Sequence, residues 1–143
     1  MRVILPLLLL ITGCAPYMLV PVEGVRHLTQ NEPCFVARGV AVFRYETDCP
    51  DFAAVEERVR RVEERWGCSL AGQRLYYVNA QIDCGGKDVK GCTWGEVSAV
   101  TKPGPAVMAT SSHELAHACF NRLGGAGDFR HIDLDERWQR GER

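Results

Sequence analysis

The sequence predicts an α+β domain, with a mixed or antiparallel sheet packed on two helices and stapled by disulfides. Three observations point there. Two segments carry apolar residues at helical spacing. Four short runs are rich in β-formers and bounded by Gly, Pro or polar clusters. Six of the seven cysteines lie beyond the apolar N-terminal stretch, an even number suited to bridges. The 143 residues suit one domain. Formal net charge is −1 and no basic stripe is present, which excludes a nucleic-acid footprint and an electrostatic membrane patch.

Residues 34–46 hold Phe35, Val36, Val40, Val42, Phe43 and Tyr45 and predict a strand, bulged at Gly39. A helix over 50–66 follows, because Phe52, Val55, Val59, Val62 and Trp66 share one face. Its other face pairs Glu56 with Arg60 and Glu57 with Arg61, acid first, the favoured order, and is solvated. Pro50 suits the first helical position and Gly67 the residue past the end. Residues 74–83 predict a second strand. Residues 97–101 and 106–109 predict two short strands around the turn Lys102-Pro103-Gly104-Pro105. A second helix spans 112–123. The tail holds Gly124, Gly125 and Gly127 and is loop-rich, with Trp138 packed under it. The expected order is β, α, β, β, β, α.

The N-terminus reads as an export signal. Arg2 supplies a positive charge, and residues 3–11 are apolar apart from Pro6. A membrane span needs about 20 apolar residues, whereas this length fits a signal-peptide core. The run ends Leu10-Ile11-Thr12-Gly13-Cys14, which resembles the bacterial lipobox. That resemblance implies cleavage before Cys14 and a lipid on its thiol. Residues 1–13 are then a lipoprotein signal peptide, 14–33 a Pro-containing lipidated tether, and 34–143 the folded domain. Ala15 stands where Asp would signal inner-membrane retention, so the resemblance implies the cell envelope, at the outer membrane facing the periplasm in a Gram-negative cell.

Removing Cys14 leaves Cys34, Cys49, Cys68, Cys84, Cys92 and Cys119 for three bridges, in keeping with export. Cys84 and Cys92 flank a Gly-rich loop, which suggests a bridge closing it; the other pairings stay open. The chain has no CxxC pair of the kind a cysteine-rich zinc site uses.

The second helix carries His113-Glu114-Leu115-Ala116-His117. Side chains four apart share a helix face. Two imidazoles can therefore hold one zinc ion, with Glu114 beside them as general base. At about 100° per residue, Leu115, Ala116, Cys119 and Leu123 fall on the opposite, core face. Cys119 is thus a core or disulfide cysteine and not a ligand. Ser111 and Glu114 have capping-box spacing, but a base needs a free carboxylate, so Ser112 is the preferred cap. Asn121 lies on the chemical face, as a neighbour of the site or a solvated residue. Catalytic zinc takes three protein ligands and a water. His131, Asp128 and Glu136 are the candidates for the third ligand, in that order. Imidazole suits zinc, and Asp128 would then accept an N–H from a ligand histidine and fix its tautomer. His27, in the tether, reads as a solvated side chain.

The motif helix resembles that of the zincin metallopeptidases. It departs from metzincins, which place Gly and then a third His where this chain has Phe120 and Leu123. Glu136 has nearly the spacing of a gluzincin ligand, but the Asn-Glu-x-x-x-Asp segment is absent. Asp128 has the spacing of an aspzincin ligand, but Ala126 and His131 replace the Thr and Tyr of that pattern. His131, with Trp138 behind it, looks most like the third ligand of Sprt-type peptidases. The resemblance covers the motif helix and the tail after it.

It implies a zincin-like domain hydrolysing peptide bonds, with zinc on His113, His117 and His131 and Glu114 as base. It also implies substrate uptake by β-addition to an edge strand ahead of the helix, at residues 97–101 or 106–109. The expected partners are a peptide or protein substrate and the membrane, through lipid on Cys14, with the protein a monomer. The alternative is a non-catalytic lipoprotein, a zinc-binding module or scaffold with a degenerate zincin fold. Neither Tyr76 nor Tyr77 is assigned a role.

Overall fold

The computed structural model describes residues 19–28, 32–101 and 107–124. The chain runs β1 (Leu19–Pro21), a 3-10 turn (Val22–Gly24), α1 (Val25–Leu28), β2 (Phe35–Ala37), β3 (Val40–Tyr45) and α2 (Phe52–Trp66). It continues through β4 (Arg74–Val78), β5 (Gln81–Asp83), β6 (Asp88–Val89), β7 (Gly91–Trp94), β8 (Val97–Thr101) and α3 (Val107–Arg122). The fold is α+β, as expected. A five-stranded mixed sheet has the order β2-β3-β4-β8-β7, and a smaller sheet the order β1-β5-β6. In the larger sheet β3, β4 and β8 are parallel, and β2 and β7 close the two sides antiparallel.

Alternation along the central strand β4 builds two cores. Leu75 and Tyr77 face α2 and α3, joining Val55, Val59, Val62, Leu115, Ala116 and Cys119. Tyr76 and Val78 face the opposite layer, with Val20, Val22, Val25, Ile82 and Ala99. A strand buried on both faces reads as a continuous apolar run, as residues 75–78 do.

Residues 34–46 form a hairpin rather than one bulged strand. Ala37 pairs with Val40 across a two-residue loop, Arg38-Gly39. Both loop residues have positive φ, 50° and 81°, the requirement of a type I′ turn whose twist matches the strands. Gly39 is required on a second count, since a Cβ there would lie 2.8 Å from Ala71 Cβ.

Helix α2 begins two residues later than the expected 50–66. Asp51 is its N-cap and accepts from the Ala54 backbone N–H, so Pro50 precedes the cap. Gly67 ends the helix at φ 67°, in the expected role. Glu57 pairs with Arg61 as expected. Arg60, by contrast, binds Glu57 and Glu64 rather than Glu56.

Residues 74–83 divide into β4 and β5, which pair in different sheets. The expected strand at 106–109 is overturned, because residues 107–109 are already the first turn of α3. The turn before it lies outside the described residues. With the helix starting at Val107, Ser111 and Ser112 are interior positions and neither caps it. Ser111 instead lies 2.9 Å from the Tyr77 hydroxyl, and the Ser112 hydroxyl is buried with no hydrogen-bond partner among the described residues. Leu123, expected on the core face, is 56% exposed.

Residues 19–28, expected within the tether, belong to the folded body. β1 pairs in parallel with β5, and Val20, Val22 and Val25 are buried. His27 is exposed, as expected, but sits on α1. Three disulfides join Cys34 to Cys49, Cys68 to Cys119 and Cys84 to Cys92, the last being the bridge the sequence suggested.

Candidate metal centre

Helix α3 is held on three sides. Leu115, Ala116, Ala118 and Cys119 pack into the core shared with α2 and the sheet. The Cys68–Cys119 bridge ties the helix to the loop after α2. Edge strand β7 lies along its remaining flank. These contacts set the rotation of the helix and so the aim of its polar side chains.

His113 and His117 occupy one face, one turn apart. Their Nε2 atoms are 3.1 Å apart, with ring centroids at 4.7 Å and ring planes at 74°. Two nitrogens this close cannot both present bare lone pairs to each other. Either one ring donates an N–H to the other, or both point at a shared cation. Two nitrogens bound tetrahedrally at zinc-like distances would lie about 3.3 Å apart, so the pair needs almost no adjustment to hold an ion. His113, Glu114 and His117 each bring a ligand atom within 4.8 Å of the others, and the group could hold a metal ion.

Glu114 is 4% exposed. Thr93 Oγ1 lies 2.8 Å from both its Oε2 and its backbone carbonyl oxygen. Burial pushes the Glu114 carboxyl up to about 7, and the Thr93 hydrogen bond acts in the opposite direction. Ordinary carboxylates are ionised far below that value, so this one titrates where a proton can be both taken and released. Nearby, burial raises the Tyr77 phenol to about 12, so Tyr77 is a neutral partner for Ser111.

Four residues missed in the sequence build the wall behind Glu114: Gly91 and Thr93 on β7, Ser98 on β8, and Gln73 just before β4. Gly91 has no side chain where one would collide, since a Cβ there would lie 2.6 Å from Glu114 Oε1 and 2.8 Å from Thr110 Cγ2. The run 91–94 between Gly91 and Gly95 does carry a weak period-2 strand signal. Its short length, beside a disulfide loop, hid it.

The expected third ligands His131, Asp128 and Glu136 lie outside the described residues, as do Trp138 and Cys14. Asn121 is exposed on α3. Strand 97–101, expected as a substrate-binding edge, is interior, flanked by β4 and β7. Among the described residues, the terminal strand beside the helix is β7. Comparison with protein-family models, with curated proteins and with solved structures found no match.

Proposed function

We propose that this protein is a zinc-dependent peptidase of the cell envelope, anchored through lipid on Cys14. The observation that carries the reading is the convergence of His113 and His117 beside a buried Glu114. His113 and His117 would hold the zinc, with His131 from the tail as the third ligand. When bound, zinc supplies a Lewis acid that acidifies water and polarises a scissile carbonyl.

The remaining chemistry belongs to side chains of this protein. Glu114 takes a proton from the attacking water on a carboxylate oxygen as the new C–O bond forms. It then gives that proton to the leaving amine nitrogen as the C–N bond breaks. Thr93 keeps Glu114 Oε2 in a fixed place during both transfers. Strand β7, at the end of the sheet and along the helix, suits an extended substrate adding as a further strand. The N-terminal reading rests on the sequence: the apolar leader and the Leu10–Cys14 run.

A second reading follows from the same cluster. Glu114 is close enough to serve as a ligand itself, which would make a binding site without a base. The variant Glu114→Gln separates the two. As a base, its loss leaves zinc stoichiometry at one per chain and lowers hydrolysis of a quenched fluorescent peptide library by about 100-fold or more. Loss of zinc from the variant would instead favour the non-catalytic reading. Failure of the wild-type chain to bind any divalent ion would overturn both.

A further inference from the structure

A line of polar side chains crosses the domain from its surface to Glu114. Arg122, exposed at the end of α3, donates from Nη2 to Gln73 Oε1 at 3.1 Å, and from Nη1 to the carbonyls of Ala71 and Ser69 at 2.7 and 3.0 Å. Gln73 Nε2 donates to Ser98 Oγ at 3.0 Å and to the Gly95 carbonyl at 3.3 Å. Ser98 Oγ lies 3.0 Å from Thr93 Oγ1, and Thr93 Oγ1 lies 2.8 Å from Glu114 Oε2. Gln73 and Ser98 are fully buried, so these contacts are made without competing water.

The direction of the line follows from its two ends. A guanidinium only donates, so Gln73 must turn its oxygen towards Arg122 and its NH₂ towards Ser98. Ser98 then accepts from Gln73, and with Glu114 ionised Thr93 gives its hydrogen to Glu114, which leaves Ser98 to donate in the Ser98–Thr93 contact. Thr93 accepts that hydrogen and has only its own to give. Its two other contacts among the described residues, Oε2 and the carbonyl, both belong to Glu114. The other carboxylate oxygen, Oε1, lies where a side chain on residue 91 would otherwise sit.

We propose that Thr93, Ser98 and Gln73 are positioning residues for Glu114, forming a hydrogen-bond line directed by Arg122 that holds Oε2. This rests on the reading of Glu114 as the base. The line imposes an orientation that an isolated threonine would not. Without Ser98 donating to it, Thr93 could turn its hydrogen away from the carboxylate.

The test compares Thr93→Val, Thr93→Ser and Ser98→Ala in the full chain with its disulfides formed. Two readouts are used. The first is hydrolysis of the quenched fluorescent peptide library by zinc-loaded protein. The second is the Glu114 side-chain carboxyl ¹³C resonance of metal-free protein at a fixed pH, identified by its loss in Glu114→Gln. Thr93→Val is expected to lower kcat by about tenfold to 100-fold with KM little changed and to shift the resonance. Thr93→Ser is expected to restore both, and Ser98→Ala to have a smaller effect in the same direction. Cobalt binding, read by its visible spectrum, should be unchanged in all three. A Thr93→Val protein that binds cobalt normally and keeps both the wild-type kcat and the wild-type resonance overturns the proposal. If the wild-type chain binds zinc and hydrolyses nothing, the peptidase reading falls and the resonance alone decides whether Thr93 holds Glu114. An unmoved resonance then overturns the proposal, and a resonance moved by Val and restored by Ser supports it. Should Thr93→Val fail to fold, Ser98→Ala is judged by the same two readouts.

Discussion

Gly91 on the edge strand and Glu114 on the motif helix approach so closely that a Cβ on residue 91 would lie 2.6 Å from Glu114 Oε1. The backbone conformation at Gly91 is not one reserved for glycine, so the requirement is steric. Gly91→Ala must displace either β7 or the carboxylate. Overpacking of this kind costs about 1–3 kcal/mol. The expected outcome is a destabilised protein that still binds zinc and hydrolyses peptide more slowly. Urea denaturation alongside metal titration checks it, and wild-type stability and rate would contradict it.

Glu114 also makes the metal-free protein sensitive to pH. Its carboxyl titrates near 7 when folded and near the ordinary 4.5 when unfolded. Between those values the folded state binds more protons than the unfolded one. Stability contributed by the neutral carboxyl is therefore present at low pH, falls as pH rises from about 4.5 to about 7, and is gone above. The fall is at most about 3 kcal/mol. Glu114→Gln should lack this step and be the more stable protein at pH 8. Parallel stability curves for the two proteins would contradict the expectation.

The tail candidates are ranked by metal binding. His113→Ala and His117→Ala should each abolish stoichiometric zinc uptake. His131→Ala should do the same, whereas Asp128→Ala should weaken affinity by about tenfold as the loss of an outer partner, and Glu136→Ala should leave it unchanged. Equilibrium titration with a competing chelator reads all five.

The two bridges near the site differ in loop length. Cys68–Cys119 has a sequence separation of 51, and Cys84–Cys92 one of 8. Chain entropy assigns them about 4 and about 2.5 kcal/mol. Replacing Cys68 and Cys119 by Ala should therefore destabilise more than replacing Cys84 and Cys92. It should also weaken metal binding, since Cys119 anchors the helix close to His117. Thermal melts and zinc affinity of the two double variants provide the comparison.

The N-terminal segment should behave as core. Val25→Ala removes apolar volume from a fully buried site and should cost about 2 kcal/mol. Leu19→Ala, at a residue 51% exposed, should change stability by less than about 0.5 kcal/mol. Equal effects from the two would show that residues 19–28 do not stabilise the domain.

Much of the site was legible because its parts are local. His113 and His117 share a face wherever that segment is helical, and the apolar positions of α2 declare their face by spacing alone. The Cys84–Cys92 bridge closes a short Gly-rich loop. Local signals failed where neighbours in space outvote neighbours in sequence. Residues 107–109 lie in a helix despite the Pro-flanked turn expected before them. Ser112 lost its expected capping role once the helix started earlier, and Leu123, at the end of the helix, is exposed rather than in the core. The valines of residues 20–25 looked like tether because they lack periodicity, yet they cover the second face of the sheet.

The chain by itself determined the α+β class, the faces of its helices and the pairing of two imidazoles one turn apart, because hydrophobic period and helical pitch act within a few residues. Only the tertiary structure decided which oxygen of Glu114 is held, that β7 rather than β8 lies at the edge, and that Gly91 must stay bare. The reason is that Thr93 meets Glu114 across 21 residues of chain. Contacts of that range form only when strands choose neighbours, and that choice is made by burial on both faces of the sheet at once.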